Sequence, residues 1–136
     1  MERRDEPIPI ALGPVVCDSL IVEERTRNLS LINCFTTKRV REFRANDVRF
    51  TVVALLSDGE GDIPMTVCIE RLDTVETIYL FSHTFTFRDR MQEVRFVLRV
   101  ENCEFPVPGI YEIRLLADDE PVANQRIRVE PSEATT

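Results

Sequence analysis

The sequence is poor in the residues and motifs that most chemistry needs. It has one histidine, His83, one lysine, Lys38, and no Cys-x-x-Cys pair. A general base or nucleophile-activating imidazole would have to be His83, because there is no second one. No Gly-x-Ser-x-Gly elbow, His-Glu-x-x-His pattern or glycine-rich phosphate loop is present. These gaps exclude the common hydrolase, metalloprotease and nucleotide-binding signatures, so the expectation is a non-enzymatic protein with no cofactor. Cys17, Cys34, Cys68 and Cys103 lie far apart inside apolar patterns, which excludes a zinc knuckle and fits buried, reduced thiols. Spacing does not say which Cβ atoms face each other, so a disulfide in an oxidising compartment stays open.

Long apolar runs are also missing. None approaches the roughly 20 residues of a membrane-spanning helix, and the apolar stretch at residues 8–12 is too short for a signal-peptide core, so no membrane partner and a cytoplasmic location are expected. The net charge of −7 argues against non-specific binding to nucleic acid or anionic lipid, which rests on basic side chains neutralising phosphate. No segment of helical length repeats at 3.6 residues.

What the sequence does contain is strand pattern. In the stretch from Phe105 to Ala117, Tyr111, Ile113, Leu115 and Ala117 fall on one face at period two; Pro106 and Pro108 remove donors just before it. Asp118-Asp119-Glu120-Pro121 turns the chain into a return strand with Ala123, Gln125, Ile127 and Val129 on one side, a predicted β-hairpin. Earlier, residues 15–22 read as a strand buried on most of both faces, joined through a charged turn to a strand at 29–37. Val48, Phe50, Val52, Ala54 and Leu56 share a face, and the acidic turn at 57–62 leads to Met65, Val67 and Ile69 as the predicted second arm of a hairpin. Residues 78–87 place Tyr79, Phe81, His83, Phe85 and Phe87 in register, with His83 expected in or at the rim of the core, held by a hydrogen bond. Val94, Phe96, Leu98 and Val100 follow.

Eight short strands separated by turn chemistry predict an all-β, two-sheet antiparallel sandwich of immunoglobulin-like type, with an eight-stranded barrel as the alternative. At 136 residues the chain fits one domain, with a flexible arm over 1–14, the sandwich over 15–130 and a disordered tail over 131–136. Residues 16–22 (Val-Cys-Asp-Ser-Leu-Ile-Val), Leu29-Ser30-Leu31-Ile32 and the proline-glycine segment leading to Tyr111 resemble, in that order, a family of small bacterial proteins known only as a domain of unknown function. The likeness covers about residues 15 to 129. It implies a cytoplasmic bacterial β-sandwich and brings no catalytic residues.

The basic stretch is the sharpest local candidate. Lys38, Arg39, Arg41 and Arg44 stand together on an otherwise acidic chain and suit a phosphate group, an acidic partner or a nucleic-acid backbone, though nucleic acid is disfavoured by the overall charge. Arginines also guard solvent-facing strand edges, as the second ladder at Arg95 and Arg99 illustrates. The leading expectation is a binding or structural module that meets another protein, or its own copy, through an exposed sheet edge or face. Anion binding through residues 38–44 is the alternative.

Overall fold

The computed structural model describes residues 7–132. Among them are nine strands and no helix: β1 (Ile10–Val22), β2 (Leu29–Cys34), β3 (Thr37–Val40), β4 (Ala45–Ser57), β5 (Gly61–Arg71), β6 (Thr77–Phe87), β7 (Val94–Phe105), β8 (Gly109–Ala117) and β9 (Glu120–Pro131). They form a four-stranded sheet, β2-β1-β4-β7, and a five-stranded sheet, β3-β9-β8-β5-β6. Two open sheets, rather than a closed barrel, enclose the core.

The period-two faces meet between the sheets. Phe50, Val52, Ala54 and Leu56 of β4 and Phe96, Leu98 and Val100 of β7 come from one sheet; Met65, Val67 and Ile69 of β5 and Tyr111, Ile113, Leu115 and Ala117 of β8 come from the other. Phe35, Phe50, Phe105 and Tyr111 form a chain of ring contacts through this core, with successive centroids 6.2, 6.2 and 4.9 Å apart. The Tyr111 hydroxyl donates to the Val107 carbonyl at 2.6 Å, tying the start of β8 to the corner that leads into it. A tyrosine anchored to its upstream backbone at that place is a hallmark of immunoglobulin-like sandwiches. Ile113, two residues on, is fully buried where antibody domains carry a disulfide cysteine, so apolar packing stands in for the cross-link.

The β8–β9 hairpin forms as expected. Its turn is tighter than predicted, with Asp118 (φ 50°) and Asp119 (φ 67°) the two central residues between Ala117 and Glu120, which pair. Two successive left-handed residues match the twist of the flanking strands. The β1–β2 hairpin also forms.

Other expectations need correction. β4 and β5 are not a hairpin: β4 pairs with β1 and β7, and β5 pairs with β6 and β8, so the acidic turn carries the chain from one sheet to the other. Turn composition marks a reversal but not the sheet that the next strand joins. The sandwich is not wholly antiparallel, because β3 lies parallel to β9, from Thr37 opposite Arg128 to Val40 opposite Pro131. β3 is a ninth strand too short to carry a pattern. The 15–22 stretch is not buried on both faces: only Val16 and Cys17 of it are buried, since β1 pairs with β4 no further than Cys17 and continues with β2 alone.

The expected arm over 1–14 is shortened from its C-terminal side, because β1 begins at Ile10, with Ile10 opposite Ser57. Gly13 (φ 104°) sits in the register shift between Leu12 and Val15, where a Cβ would meet the Val53 carbonyl oxygen at 3.0 Å. Residues 1–6 of that arm, and residues 133–136 of the expected tail, lie outside the described residues. Pro131 belongs to β9, and Ser132 donates its N–H to the Val40 carbonyl at 2.8 Å.

Candidate functional site

The basic stretch gathers along one open polar groove, but most of its charge is matched by acids. Lys38 and Arg39 lie on β3, while Arg41 and Arg44 lie in the bend between β3 and β4. The Lys38 ammonium is 3.1 Å from the Asp18 carboxylate of β1 and 5.0 Å from the centroid of the Phe35 ring. Arg39 pairs with Glu130 of β9 at 3.3 Å, and Arg44 with Glu104 of β7 at 2.6 Å. The three acids come from three strands, and the charge of these three cations is locally balanced. Arg41 is exposed and makes no ion pair among the described residues. It shares an open polar groove of about 550 Å³ with Lys38, Arg39, Arg44 and Arg49, and Glu42 and Asp47 line the same groove. Cations matched to acids on neighbouring strands are invisible to a reading of residues 38–44 alone.

Asp18 is the best-held carboxylate of this region. The Asn33 side-chain amide donates to it, and with Lys38 this lowers its pKa against the opposing effect of partial burial. Asn33 is itself left-handed (φ 55°), a conformation asparagine tolerates.

His83 is neither buried nor at the rim of a packed core. It is exposed, lies directly across from Met65, and meets Phe85 edge-on with centroids 4.9 Å apart. No cysteine stands opposite it; the cysteine of β5, Cys68, faces Leu80. Among the described residues no three His, Cys, Asp or Glu side chains gather as metal ligands. Three of the cysteines are buried as expected, but Cys34 is exposed because it ends the edge strand β2. Burial raises the thiol pKa of Cys103 to about 12.

Sheet edges distinguish this molecule more than any polar cluster. The sheets end in β2, β7, β3 and β6. β2 spans 6 residues and β3 only 4, and β7 alternates Arg95, Arg99 and Glu101 on its solvent side. Short strands and charges are the usual protections of an edge. β6 has neither: its 11 residues, Thr-Ile-Tyr-Leu-Phe-Ser-His-Thr-Phe-Thr-Phe, contain no Asp, Glu, Lys, Arg, proline or glycine.

The registers explain which side chains this edge presents. Tyr79, Phe81, His83 and Phe85 pair with Ile69, Val67, Met65 and Ile63, all fully buried, so they share the inward face. Phe85 reaches Phe96 of β7 at 5.4 Å, and Phe87 is buried. The five-stranded sheet is one strand wider than the other, and the middle of β6 overhangs: inward-facing Phe81 is 36% exposed. On the outward face Ser82 hydrogen bonds Thr66 at 2.8 Å, Thr86 donates to Asp62 at 2.7 Å, and Leu80 is 66% exposed. A second apolar feature, which the sequence reading missed, is a groove of about 330 Å³ on the four-stranded sheet, lined by Leu12, Val15, Leu29, Leu31, Val53 and Leu55.

A search against curated proteins finds no match. Among solved structures, an immunoglobulin-like protein from Pseudomonas aeruginosa matches at 17% identity and a TM-score of 0.48, covering 93% of this chain and 99% of that one. A β-glucosidase from Listeria innocua in complex with glucose matches at 11% identity and a TM-score of 0.50, covering 90% of this chain. The alkylpurine DNA glycosylase AlkC of Pseudomonas fluorescens, bound to DNA with an abasic-site analogue, matches at 12% identity and a TM-score of 0.46, covering 87% of this chain. This chain spans only 31% of the glycosylase and 16% of the glucosidase. At 11% identity the match with a TM-score of 0.50 shows a likeness of fold alone. Over residues 14–130 the sequence matches a family of unknown function, DUF6941, and the chain belongs to that family.

Proposed function

We propose that this immunoglobulin-like sandwich is a non-enzymatic cytoplasmic module that works by strand addition at the β6 edge, and that its first partner is a second copy of itself. The observation that carries this reading is the unprotected edge: 11 residues without Asp, Glu, Lys, Arg, proline or glycine, beside three edges that are short or charged. An exposed strand offers unpaired backbone donors and acceptors, and a strand laid against it gains affinity from main-chain hydrogen bonds and specificity from alternate side chains. Two β6 strands related by a two-fold axis at Ser82 set Tyr79 opposite Phe85 and Phe81 opposite His83, ring against ring, with no like charges opposed.

The test is sedimentation velocity across a concentration series with the wild type and a Leu80→Lys/Thr84→Lys variant, plus titration with a peptide of residues 77–87. Concentration-dependent dimers that vanish in the variant support the reading, as does peptide binding that the variant lacks. A wild type that stays monomeric and binds no peptide removes it.

One observation favours a second reading, in which Arg41 and Arg49, lining one groove without ion-pair partners among the described residues, hold an anion. Titration with inorganic phosphate and a polyphosphate at low salt tests it. Binding that weakens with added salt and with Arg41→Glu supports that reading, and undetectable binding ends it.

A further inference from the structure

Cys17 of β1 and Cys34 of β2 are direct cross-strand partners. The Phe35 N–H donates to the Val16 carbonyl at 3.0 Å, which makes the cysteine pair the non-hydrogen-bonded kind, with the closer backbones, Cα atoms about 4.5 Å apart. The register fixes the facing: residues directly opposite each other on paired strands project to the same side, so Cys17 and Cys34 share one face of the β1–β2 ribbon. Both thiols are free, Cys17 fully buried and Cys34 exposed. Two cysteines on one face at that separation are within the span a disulfide bridges, at its short end.

We propose that Cys17 and Cys34 form a redox-active dithiol that a hydroperoxide closes to an intramolecular cross-strand disulfide. The exposed Cys34 thiol gives up its proton as its sulfur attacks the peroxide; the O–O bond breaks, a sulfenic acid forms on Cys34, and the departing hydroxide takes up that proton and leaves as water. Cys17 then gives up its proton and attacks the Cys34 sulfur; the S–S bond forms, the S–O bond breaks and a second water leaves. Two thiols are oxidised by two electrons and hydrogen peroxide is reduced to two waters. The division of labour follows position: Cys34 is the thiol that solvent reaches, and Cys17, raised in pKa by burial and then by its neighbour's charge, resolves the sulfenic acid in place. Closure pins the edge strand β2 to β1 at Cys17, the last residue of β1 that pairs with β4. A bond at the short end of the geometric range, with one sulfur near solvent, is readily reduced again.

The experiment is stoichiometric hydrogen peroxide on the reduced full-length protein, followed by intact mass and tryptic mapping without reductant. The expected result is a loss of about 2 Da, restored by dithiothreitol, with peptides 5–25 and 28–38 joined. The same loss in a Cys68→Ser/Cys103→Ser variant, and its absence in Cys34→Ser, support the assignment. Oxygen adducts on Cys34 with no cross-link, a bridge that includes Cys68 or Cys103, or a Cys34–Cys34 bond between two molecules each overturn it. The decisive map is made on the wild type, so a Cys17→Ser variant that fails to fold leaves the outcome readable.

Discussion

Tyr111 shows how much a single polar atom does in an apolar core. Its ring is buried against Phe105, and its hydroxyl holds the chain that turns from β7 into β8. Tyr111→Phe keeps the ring and removes the hydrogen bond, so urea unfolding should show a loss of about 1 kcal/mol with an unchanged m-value. Asp18 sets a pH dependence whose sign is fixed by its lowered pKa. A carboxylate whose folded pKa lies below the unfolded one stabilises above the unfolded value, near 3.8, and that contribution is lost as pH falls through the folded pKa. The pair is partly exposed, so the effect is at most about 1 kcal/mol. Comparing wild type with Asp18→Asn between pH 6 and pH 2.5 should show the stability difference shrinking as the pH drops; a difference that grows would contradict the assignment. Asp119 occupies the left-handed region in a two-residue turn, and Asp119→Gly should raise the melting temperature because glycine carries no Cβ penalty there.

At the scale of elements, β6 and β8 contrast two uses of the same alternation. β8 has neighbours on both sides, and its inward residues are buried between the sheets. β6 has one neighbour and overhangs, so the same pattern leaves aromatic surface in solvent. Its backbone on the free side has no strand partner among the described residues, and lysines at positions 80 and 84 should abolish the proposed association while leaving the thermal unfolding of the monomer within a few degrees of wild type. These positions are exposed, and substitutions at such sites change stability by about 0.5 kcal/mol or less. Circular dichroism melts alongside sedimentation separate the two effects.

The whole molecule carries a net charge of −7, and this decides how each proposed partner responds to salt. Two copies repel at long range and the proposed seam holds no Asp, Glu, Lys or Arg, so β6-mediated association should strengthen between 50 and 500 mM salt as repulsion is screened. Anion binding at Arg41 and Arg49 should weaken over the same range. The sign of the salt dependence therefore separates the two readings without any substitution. No helix among the described residues is long and apolar enough to cross a membrane. Stability is concentrated in the shared core, and truncating Ile113 to Ala should cost about 2–5 kcal/mol by denaturant titration, since it is fully buried between the sheets.

Alternation along the chain determined the all-β class, the inward faces of β4, β5, β7 and β8, and the β8–β9 and β1–β2 hairpins, because side-chain period and turn chemistry act between residues close in sequence. The sandwich architecture and the membership of an unknown-function family were legible too. The tertiary structure alone decided that β4 and β5 part into different sheets, that β3 runs parallel to β9, and that Lys38, Arg39 and Arg44 are matched to acids on β1, β9 and β7. It likewise decided that β6 ends a sheet and leaves His83 in solvent, and that Cys17 faces Cys34. Each of these depends on which strands lie side by side, a choice made by burial of whole faces across the molecule and therefore not carried by the pattern of any one segment.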